Sequence, residues 1–301
     1  MNAPDFLVIG AMKSGTTTLY HDLSLNPNIF LPDKETNGLA TAITRSEYLA
    51  KFQAARQSQI CGDISTVYAM LPDSSDVVPR AREFLSPDTK IVYIVREPVG
   101  RTLSHHNHMR TWTGPTAMGP DINVELRCRP ELIDCSRYAM QLAPWIDCFG
   151  RSAVHVIVFE DYVQRRKQVI AELSRFLGVE PKVDGIDENI VHNQSDGKPL
   201  TVGGWKKIAS SPLYRRLIRP MMSLRTRDVL RSWLLPHATD ERIAPTEQTI
   251  DAIIAGVRHD VDSLSKLLGA NRPLWDLDAA KSRYLKVGDT AKPIGTQKSA
   301  A

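Results

Sequence analysis

Residues Gly10–Thr17 (Gly-Ala-Met-Lys-Ser-Gly-Thr-Thr) bring two glycines, a lysine and three hydroxyl side chains together in one short stretch. An apolar run, Phe6–Ile9, precedes the stretch and predicts a strand from Phe6 to Gly10. A helix is predicted to follow, from about Thr16 to Leu25, where Asn26-Pro27 ends it. Backbone N–H groups and the dipole at a helix N-terminus both favour a bound anion. The stretch therefore predicts a phosphate-binding loop between a strand and a helix.

The position of the lysine narrows the chemistry of this loop. The two glycines have the spacing of a nucleotide-binding P-loop, in which a lysine follows the second glycine and stands beside an Mg²⁺-binding Ser or Thr. Here Thr16 follows the second glycine and the lysine is Lys13, inside the loop. We therefore expect a phosphate-like group bound without a metal. The predicted binding residues are Lys13, Ser14, Gly15, Thr16, Thr17 and Thr18.

A second anion site is predicted at the end of another apolar run, Lys90–Val95. The run is continuous, as is typical of a strand covered on both faces. Arg96 follows it directly, and Ser104 comes two helical turns later on a predicted helix from Val99 to about Arg110. A guanidinium and a hydroxyl placed in this way can bind a phosphate through charge-assisted hydrogen bonds.

The elements around these residues predict an α/β fold. A third apolar run, Val154–Phe159, leads into a helix that ends at Gly178, a suitable C-cap. Alternating strands and helices predict a P-loop-like three-layer fold, in which helices flank a central parallel sheet. Ligands bind beyond the carboxyl ends of such strands. Residues 111–130 are predicted to form an inserted loop, and Thr246–Leu268 a late helix.

Two segments resemble the donor motifs of sulfotransferases that use 3′-phosphoadenosine 5′-phosphosulfate (PAPS). Asp5–Leu19 closely resembles the 5′-phosphosulfate loop, particularly that of the carbohydrate (heparan-type) branch. Arg96–Ser104 matches every fixed position of the 3′-phosphate motif, R-x-P-x-x-R-x-x-S. The resemblance implies an enzyme that transfers a sulfuryl group from PAPS and releases PAP, with Lys13 against the bridging oxygen. A looser similarity at Asn193–Pro199 makes Lys198 a candidate donor contact, with an ordinary exposed lysine as the alternative.

The base that takes the proton of the acceptor has two candidates. Glu35, in Lys34-Glu35, resembles the K-E motif that carries the catalytic glutamate of heparan-type enzymes. That family often continues with a histidine and aromatics, whereas this chain continues to Asn37, Gly38 and Leu39. This departure puts the shape of the acceptor pocket in question.

His108 is the other candidate for the base. It shares a helix face with Ser104 and matches an active-site histidine of N-sulfotransferase relatives. His105 and His106 lie in the same segment, and the choice among these groups and Glu35 stays open. Gly62–Tyr68 is similar to the family segment G-E-x-S-P-x-Y, which we interpret as lining the cleft. Glu160 and Asp161 are expected to cap the helix after them.

Composition limits the remaining possibilities. A 301-residue chain with a formal net charge of +4 is long enough for one large domain and does not indicate nucleic-acid binding. The four cysteines include no Cys-x-x-Cys pair, which argues against zinc, and free thiols are expected rather than a Cys128–Cys135 disulfide. No signal peptide and no apolar stretch of about 20 residues is found, so the expected location is the cytoplasm.

The domain prediction is one sulfotransferase domain over 1–287, with a donor-binding core at about 5–200, a basic helical part at about 205–275 and a flexible tail at 288–301. The basic segment 205–231 could contact an anionic saccharide or the surface of a membrane, or it could be a solvated face. The oligomeric state is left open.

The acceptor is expected to be a hydroxyl or amine of a carbohydrate, glycolipid or small metabolite. The rival functions are a kinase-like phosphotransferase that needs Mg²⁺ and a catalytically silent nucleotide-binding scaffold.

Overall fold

Five parallel strands form one sheet within residues 2–113, 118–188 and 243–290, the part of the chain that the computed structural model describes. Their order across the sheet is β2-β3-β1-β4-β5. Three of them were expected from continuous apolar runs, and the other two, β2 and β3, were not. The strands are β1 (Phe6–Gly10), β2 (Ile29–Phe30), β3 (Ile60–Ile64), β4 (Lys90–Val95) and β5 (Val154–Val158).

Helices cover both faces of this sheet. The β1 side chains alternate between two apolar clusters. Leu7 and Ile9 pack in the cluster that contains Tyr138 and Ile250, and Phe6 and Val8 pack in the one that contains Leu19 and Val169. This arrangement confirms the three-layer α/β prediction. The helices are α1 (Thr16–Ser24), α2 (Arg45–Ala50), α3 (Val77–Phe84), α4 (Pro98–Thr113), α5 (Ile122–Cys128), α6 (Glu131–Asp134), α7 (Tyr138–Phe149), α8 (Phe159–Gln164), α9 (Arg166–Leu177), α10 (Glu247–Leu267) and α11 (Leu277–Thr290).

The observed helix ends agree with the predicted ones where a local capping residue determines the end. Gly178 ends α9 in the left-handed conformation, with φ 85°. The Thr246 hydroxyl accepts a hydrogen bond from the Thr249 N–H at the start of α10. Phe159, predicted as the last strand residue, instead begins α8.

The prediction of a loop at 111–130 is wrong in part. Helix α4 continues to Thr113, and α5 occupies Ile122–Cys128, where Asp121 accepts a hydrogen bond from the Asn123 N–H as an N-cap. Two of the glycines and prolines in this segment that suggest a loop, Gly119 and Pro120, precede this cap. Helix α11 extends to Thr290, into the first residues of the predicted tail at 288–301. The later tail lies outside the described residues.

Candidate active site

The loop between β1 and α1 has a backbone shape suited to an anion. The Ala11 N–H donates to the Ile94 carbonyl at 2.7 Å, which ties the loop to β4. Lys13 and Gly15 both have left-handed backbone, with φ 71° and 90°. Gly15 stands at the N-cap of α1, where backbone N–H groups are without helical partners.

The surroundings of Ser14 indicate whether a phosphate group fits this loop. Its side chain is fully buried, and its Oγ has no hydrogen-bond partner among the described residues. A buried hydroxyl without a partner is costly and rare. A phosphate oxygen at the N-terminus of α1 would accept this hydrogen bond, so the loop fits the group that its sequence predicts.

Phe159, the first residue of α8, lies under this loop. A Cβ placed on Gly15 would be 2.8 Å from the Phe159 ring. Only a glycine allows this close approach together with a positive φ. This contact could not be predicted from the sequence, because Phe159 is distant along the chain.

Gly15→Ala is expected to destabilise the fold by about 1–3 kcal/mol, through backbone strain and the clash with Phe159. It should also weaken binding of PAP, since the loop must shift. Urea unfolding and calorimetric titration with PAP measure the two effects. Gly178→Ala is the matched control, because φ is 85° there and the nearest atom to a new Cβ, the Lys90 Nζ, is 3.6 Å away. Equal unfolding and PAP-binding losses in the two variants would refute a role for the Phe159 contact.

Arg96, from the second predicted anion site, contacts the loop that forms the first. Its Nη1 donates to the Lys13 carbonyl at 3.1 Å, and its guanidinium carbon lies 5.0 Å from the centre of the Phe159 ring. The Tyr138 hydroxyl donates to the Arg96 carbonyl at 2.6 Å. Ser104 is half-buried on α4, two turns into the helix.

Arg101, the second arginine of the same motif, is structural in this chain. It is completely buried and donates to the Leu132 carbonyl and to the Ser136 hydroxyl, which fixes the α6 region against α4. Its Nη1 also donates a hydrogen bond to the His105 Nδ1 at 3.2 Å. Its guanidinium therefore serves packing rather than a ligand.

The three histidines of α4 have different surroundings. His105 is buried, and burial, followed by the charge of Arg101, holds its pKa well below the usual value. The His106 Nε2 donates to the Gly119 carbonyl at 3.0 Å, and burial lowers its pKa. His108 alone of the three is half-exposed, so it can meet a substrate. The positive charge of Lys13 also lowers the pKa of His105.

Glu35 lies beside the start of the loop between β1 and α1 (Gly10–Thr17, the donor loop). Its Oε2 accepts a hydrogen bond from the Thr66 N–H at 2.9 Å, and its Oε1 accepts one from the Lys34 ammonium. The Thr66 carbonyl in turn lies 3.5 Å from where a Cβ on Gly10 would stand. The side chain of Glu35 is 33% exposed. Its carboxylate is therefore anchored near the loop and still accessible.

Asp63 does not line the cleft as interpreted from its motif. It is fully buried and accepts hydrogen bonds from four hydroxyl groups, whereas a lining residue would meet solvent. Ser65 and Tyr68 from the same motif are also buried. This segment supports the one that carries Glu35.

The carboxylates of Glu97 and Glu160 connect α11 and the residues just before it to the start of α4. Glu160 accepts from the Glu97 N–H at 2.9 Å and from the Trp275 indole at 3.0 Å, so it is not the helix cap that was expected. Glu97 accepts from the Gly100 N–H at 2.8 Å and from the Tyr284 hydroxyl at 3.0 Å. This role of Glu97 was not predicted, although an acid directly before a proline at the first helical position indicates the start of a helix.

Some predictions lie outside the described residues, among them Lys198 and the basic segment 205–231. All four cysteines are free, as expected. Across 2–113, 118–188 and 243–290, no cluster of three metal-ligating side chains is present, and no helix is long and apolar enough to span a membrane.

Comparisons with known proteins agree with the geometry. A family profile described as "Sulfotransferase domain" matches residues 3–199. The chain is 26% identical over 254 residues to the mouse "Bifunctional heparan sulfate N-deacetylase/N-sulfotransferase 4", covering 78% of this chain and 29% of that protein. It is 24% identical to the mouse "Heparan sulfate glucosamine 3-O-sulfotransferase 3B1", covering 72% and 59%. The chain thus spans under a third of the length of the first of these relatives.

A solved structure shares the fold. It is a sulfotransferase from Alicyclobacillus acidocaldarius, with a TM-score of 0.59 and 21% identity, and the alignment covers 94% of this chain and 100% of that one.

Proposed function

The chain belongs to the sulfotransferase domain family, and on this basis we propose that it transfers the sulfuryl group of PAPS to a hydroxyl or amine of a saccharide acceptor, with Glu35 as the base. Sulfuryl transfer itself follows from membership of the family. The residue roles and the acceptor class are the proposal. The observation that carries it is the hydrogen bond from Arg96 to the Lys13 carbonyl, since it joins both predicted anion sites at one edge of the sheet.

The proposed reaction is an in-line displacement at sulfur. Glu35 takes the proton of the acceptor while the acceptor oxygen or nitrogen forms its bond to sulfur. The bond between sulfur and the bridging oxygen breaks, and its electron pair stays on the released PAP. The Lys13 ammonium stabilises the charge that develops on that oxygen, and the protein otherwise contributes positioning. The residues assigned to the donor are Lys13, Ser14, Gly15, Thr16, Thr17, Thr18, Arg96, Ser104 and Lys198.

Arg96→Ala is expected to weaken PAP binding by roughly 10- to 150-fold, or about 1.5–3 kcal/mol, because charge-assisted hydrogen bonds to the 3′-phosphate are lost. Calorimetric titration measures the change. AMP, which lacks the 3′-phosphate, is the control ligand and should lose little affinity. If AMP and PAP lose affinity equally, Arg96 supports the loop through the Lys13 carbonyl and the assignment is wrong.

The acceptor class rests on the relatives. The matched proteins are named for heparan sulfate and for glucosamine, which supports a saccharide acceptor. Asn37, Gly38 and Leu39 follow the proposed base here, in place of the histidine and aromatics that the family often carries. We therefore propose a saccharide whose contacts in this part of the pocket differ from those of the heparan-type enzymes.

Transfer of ³⁵S from labelled PAPS tests the proposal. A panel of saccharides with free hydroxyls, free amines or both is compared with a glycolipid and a simple phenol, with and without EDTA. Transfer to a saccharide that EDTA does not reduce is the expected result. Phosphate transfer from ATP that needs Mg²⁺ would overturn the proposal in favour of a kinase. Tight PAP binding without transfer to any member of the panel would favour a scaffold.

A further inference from the structure

Asp63 is the centre of a buried hydrogen-bond network below Glu35. It lies at the carboxyl end of β3 with no exposed surface. Its Oδ2 accepts hydrogen bonds from the hydroxyls of Thr36 at 2.7 Å, Tyr48 at 2.8 Å and Tyr68 at 2.7 Å. Its Oδ1 accepts one from the Ser65 hydroxyl at 2.9 Å.

Three of these hydroxyls also bind consecutive backbone N–H groups of the segment that follows Glu35. The Asn37 N–H donates to the Ser65 Oγ at 3.0 Å, and the Gly38 N–H donates to the Thr36 Oγ1 at 3.3 Å. The Leu39 N–H donates to the Tyr68 oxygen at 3.2 Å. Each N–H of 37–39 is thus connected to Asp63 through one hydroxyl.

Asp63 is the acceptor in all four of its hydrogen bonds, which fixes the direction of each hydroxyl. An ionised carboxylate only accepts hydrogen bonds, so every hydroxyl around it must point its hydrogen inward. Each hydroxyl oxygen then keeps its lone pairs for a backbone N–H. An amide in place of the carboxylate would present an NH₂ donor to at least one hydroxyl, whose own hydrogen would then lose its buried partner. The network therefore requires an acceptor at this position.

The backbone that these bonds hold is otherwise unfavourable. Glu35 has φ 60° and Asn37 has φ 51°, left-handed values that residues other than glycine rarely adopt. Such conformations persist when the surrounding structure imposes them. The Glu35 N–H also donates to the Ile64 carbonyl at 3.0 Å, directly after Asp63. The turn at 35–37 therefore depends on the network.

We propose that Asp63 is a positioning residue that aims Glu35 at the donor loop through the Thr36, Ser65 and Tyr68 hydroxyls. This inference rests on the proposed role of Glu35 as the base. Asp63 does not touch a substrate in this scheme. Instead, it holds the turn whose first residue carries the carboxylate, and a misplacement of about 1 Å can cost roughly 100-fold in rate.

Asp63→Asn is expected to lower kcat by roughly 10- to 100-fold while the Kd for PAP stays unchanged. The rate and Kd are measured in the same preparation, and thermal unfolding reports on folding. Ser65→Ala and Tyr68→Phe each break one link and should give smaller losses in kcat. They also keep the test decisive if Asp63→Asn fails to fold. Wild-type kcat in both of these variants would overturn the proposal.

Tyr48→Phe is the matched control. It removes one hydroxyl from the Asp63 Oδ2, as Tyr68→Phe does, but the Tyr48 hydroxyl has no bond to the N–H groups of 37–39. The Tyr48 ring stays in place against Gly38, where a Cβ would lie 2.2 Å away. We expect its kcat to remain that of the wild type. An equal loss in both tyrosine variants would mean that Asp63 serves only stability.

A double variant separates this inference from the proposed function. If Asp63 acts through Glu35, then Asp63→Asn combined with Glu35→Gln is no slower than Glu35→Gln alone. Multiplied losses in the double variant would overturn the positioning role. If Glu35→Gln itself keeps the wild-type rate, the proposed base is wrong and the inference falls with it. A slow Glu35→Gln with a normal Asp63→Asn would overturn the inference only.

Discussion

Replacing Lys13 with methionine is expected to lower kcat by about 100- to 1000-fold, the usual cost of removing one group that stabilises transition-state charge. In the proposed reaction, the Lys13 ammonium stabilises the charge that develops on the bridging oxygen as the sulfur–oxygen bond breaks. Methionine keeps most of the apolar stem, and the backbone carbonyl that Arg96 binds is unchanged. The effect should therefore appear in turnover more than in folding. Saturating-PAPS kinetics measure it.

Lys13→Arg is the comparison for this variant. It keeps the positive charge but not the compact ammonium, so we expect activity between those of Lys13→Met and the wild type. PAP titration of all three proteins shows how much of the loss lies in donor binding. A kcat that is unchanged in Lys13→Met would contradict the assignment of this lysine to the bridging oxygen.

Replacing Glu35 with glutamine is expected to lower kcat by about 100- to 10,000-fold, the typical contribution of a positioned base. Glutamine retains an oxygen that can accept from the Thr66 N–H, so the turn should persist. The acid limb of the kcat/KM profile against pH should also disappear, because that limb reports protonation of the base. Kinetics across pH with the best saccharide of the panel measure both effects, and PAP affinity should not change.

His108→Ala decides between the two candidates for the base. The half-exposed His108 lies on the same helix as Ser104 and remains available to a substrate, unlike its buried neighbours His105 and His106. If Glu35 is the base, the alanine variant keeps the acid limb and loses less turnover than Glu35→Gln. Loss of the limb in His108→Ala, with the limb retained in Glu35→Gln, would assign the base to His108.

Much of the fold could be predicted because its signals are local. The strands β1, β4 and β5 are short apolar runs, and α9 and α10 have caps at their ends. Strand β3 was missed because Gly62 and Asp63 interrupt its apolar character, and Asp63 is tolerated there only through hydroxyls from elsewhere. Helix α11 was not predicted from the sequence, although Leu277 and Ala280 are buried against the core.

The sequence by itself determined the loop and the strand end to which the donor is assigned. The order of glycines, lysine and hydroxyls in Gly10–Thr18 lies within a few residues, so backbone geometry follows from spacing alone. The same holds for Arg96 and Ser104, because Arg96 follows the end of a strand and Ser104 lies two helical turns later.

Only the tertiary structure decided which polar groups meet a ligand and which hold the fold. Arg96 and Arg101 belong to one motif, yet the first lies against the donor loop and the second is buried beside Ser136. Asp63 accepts a hydrogen bond from Thr36, 27 residues away in the sequence, and Glu97 accepts one from Tyr284, 187 residues away. The physical reason is that burial and hydrogen-bond partners arise from packing of distant segments. An aspartate, glutamate or arginine looks the same in the sequence whether its side chain binds a ligand or holds the fold together.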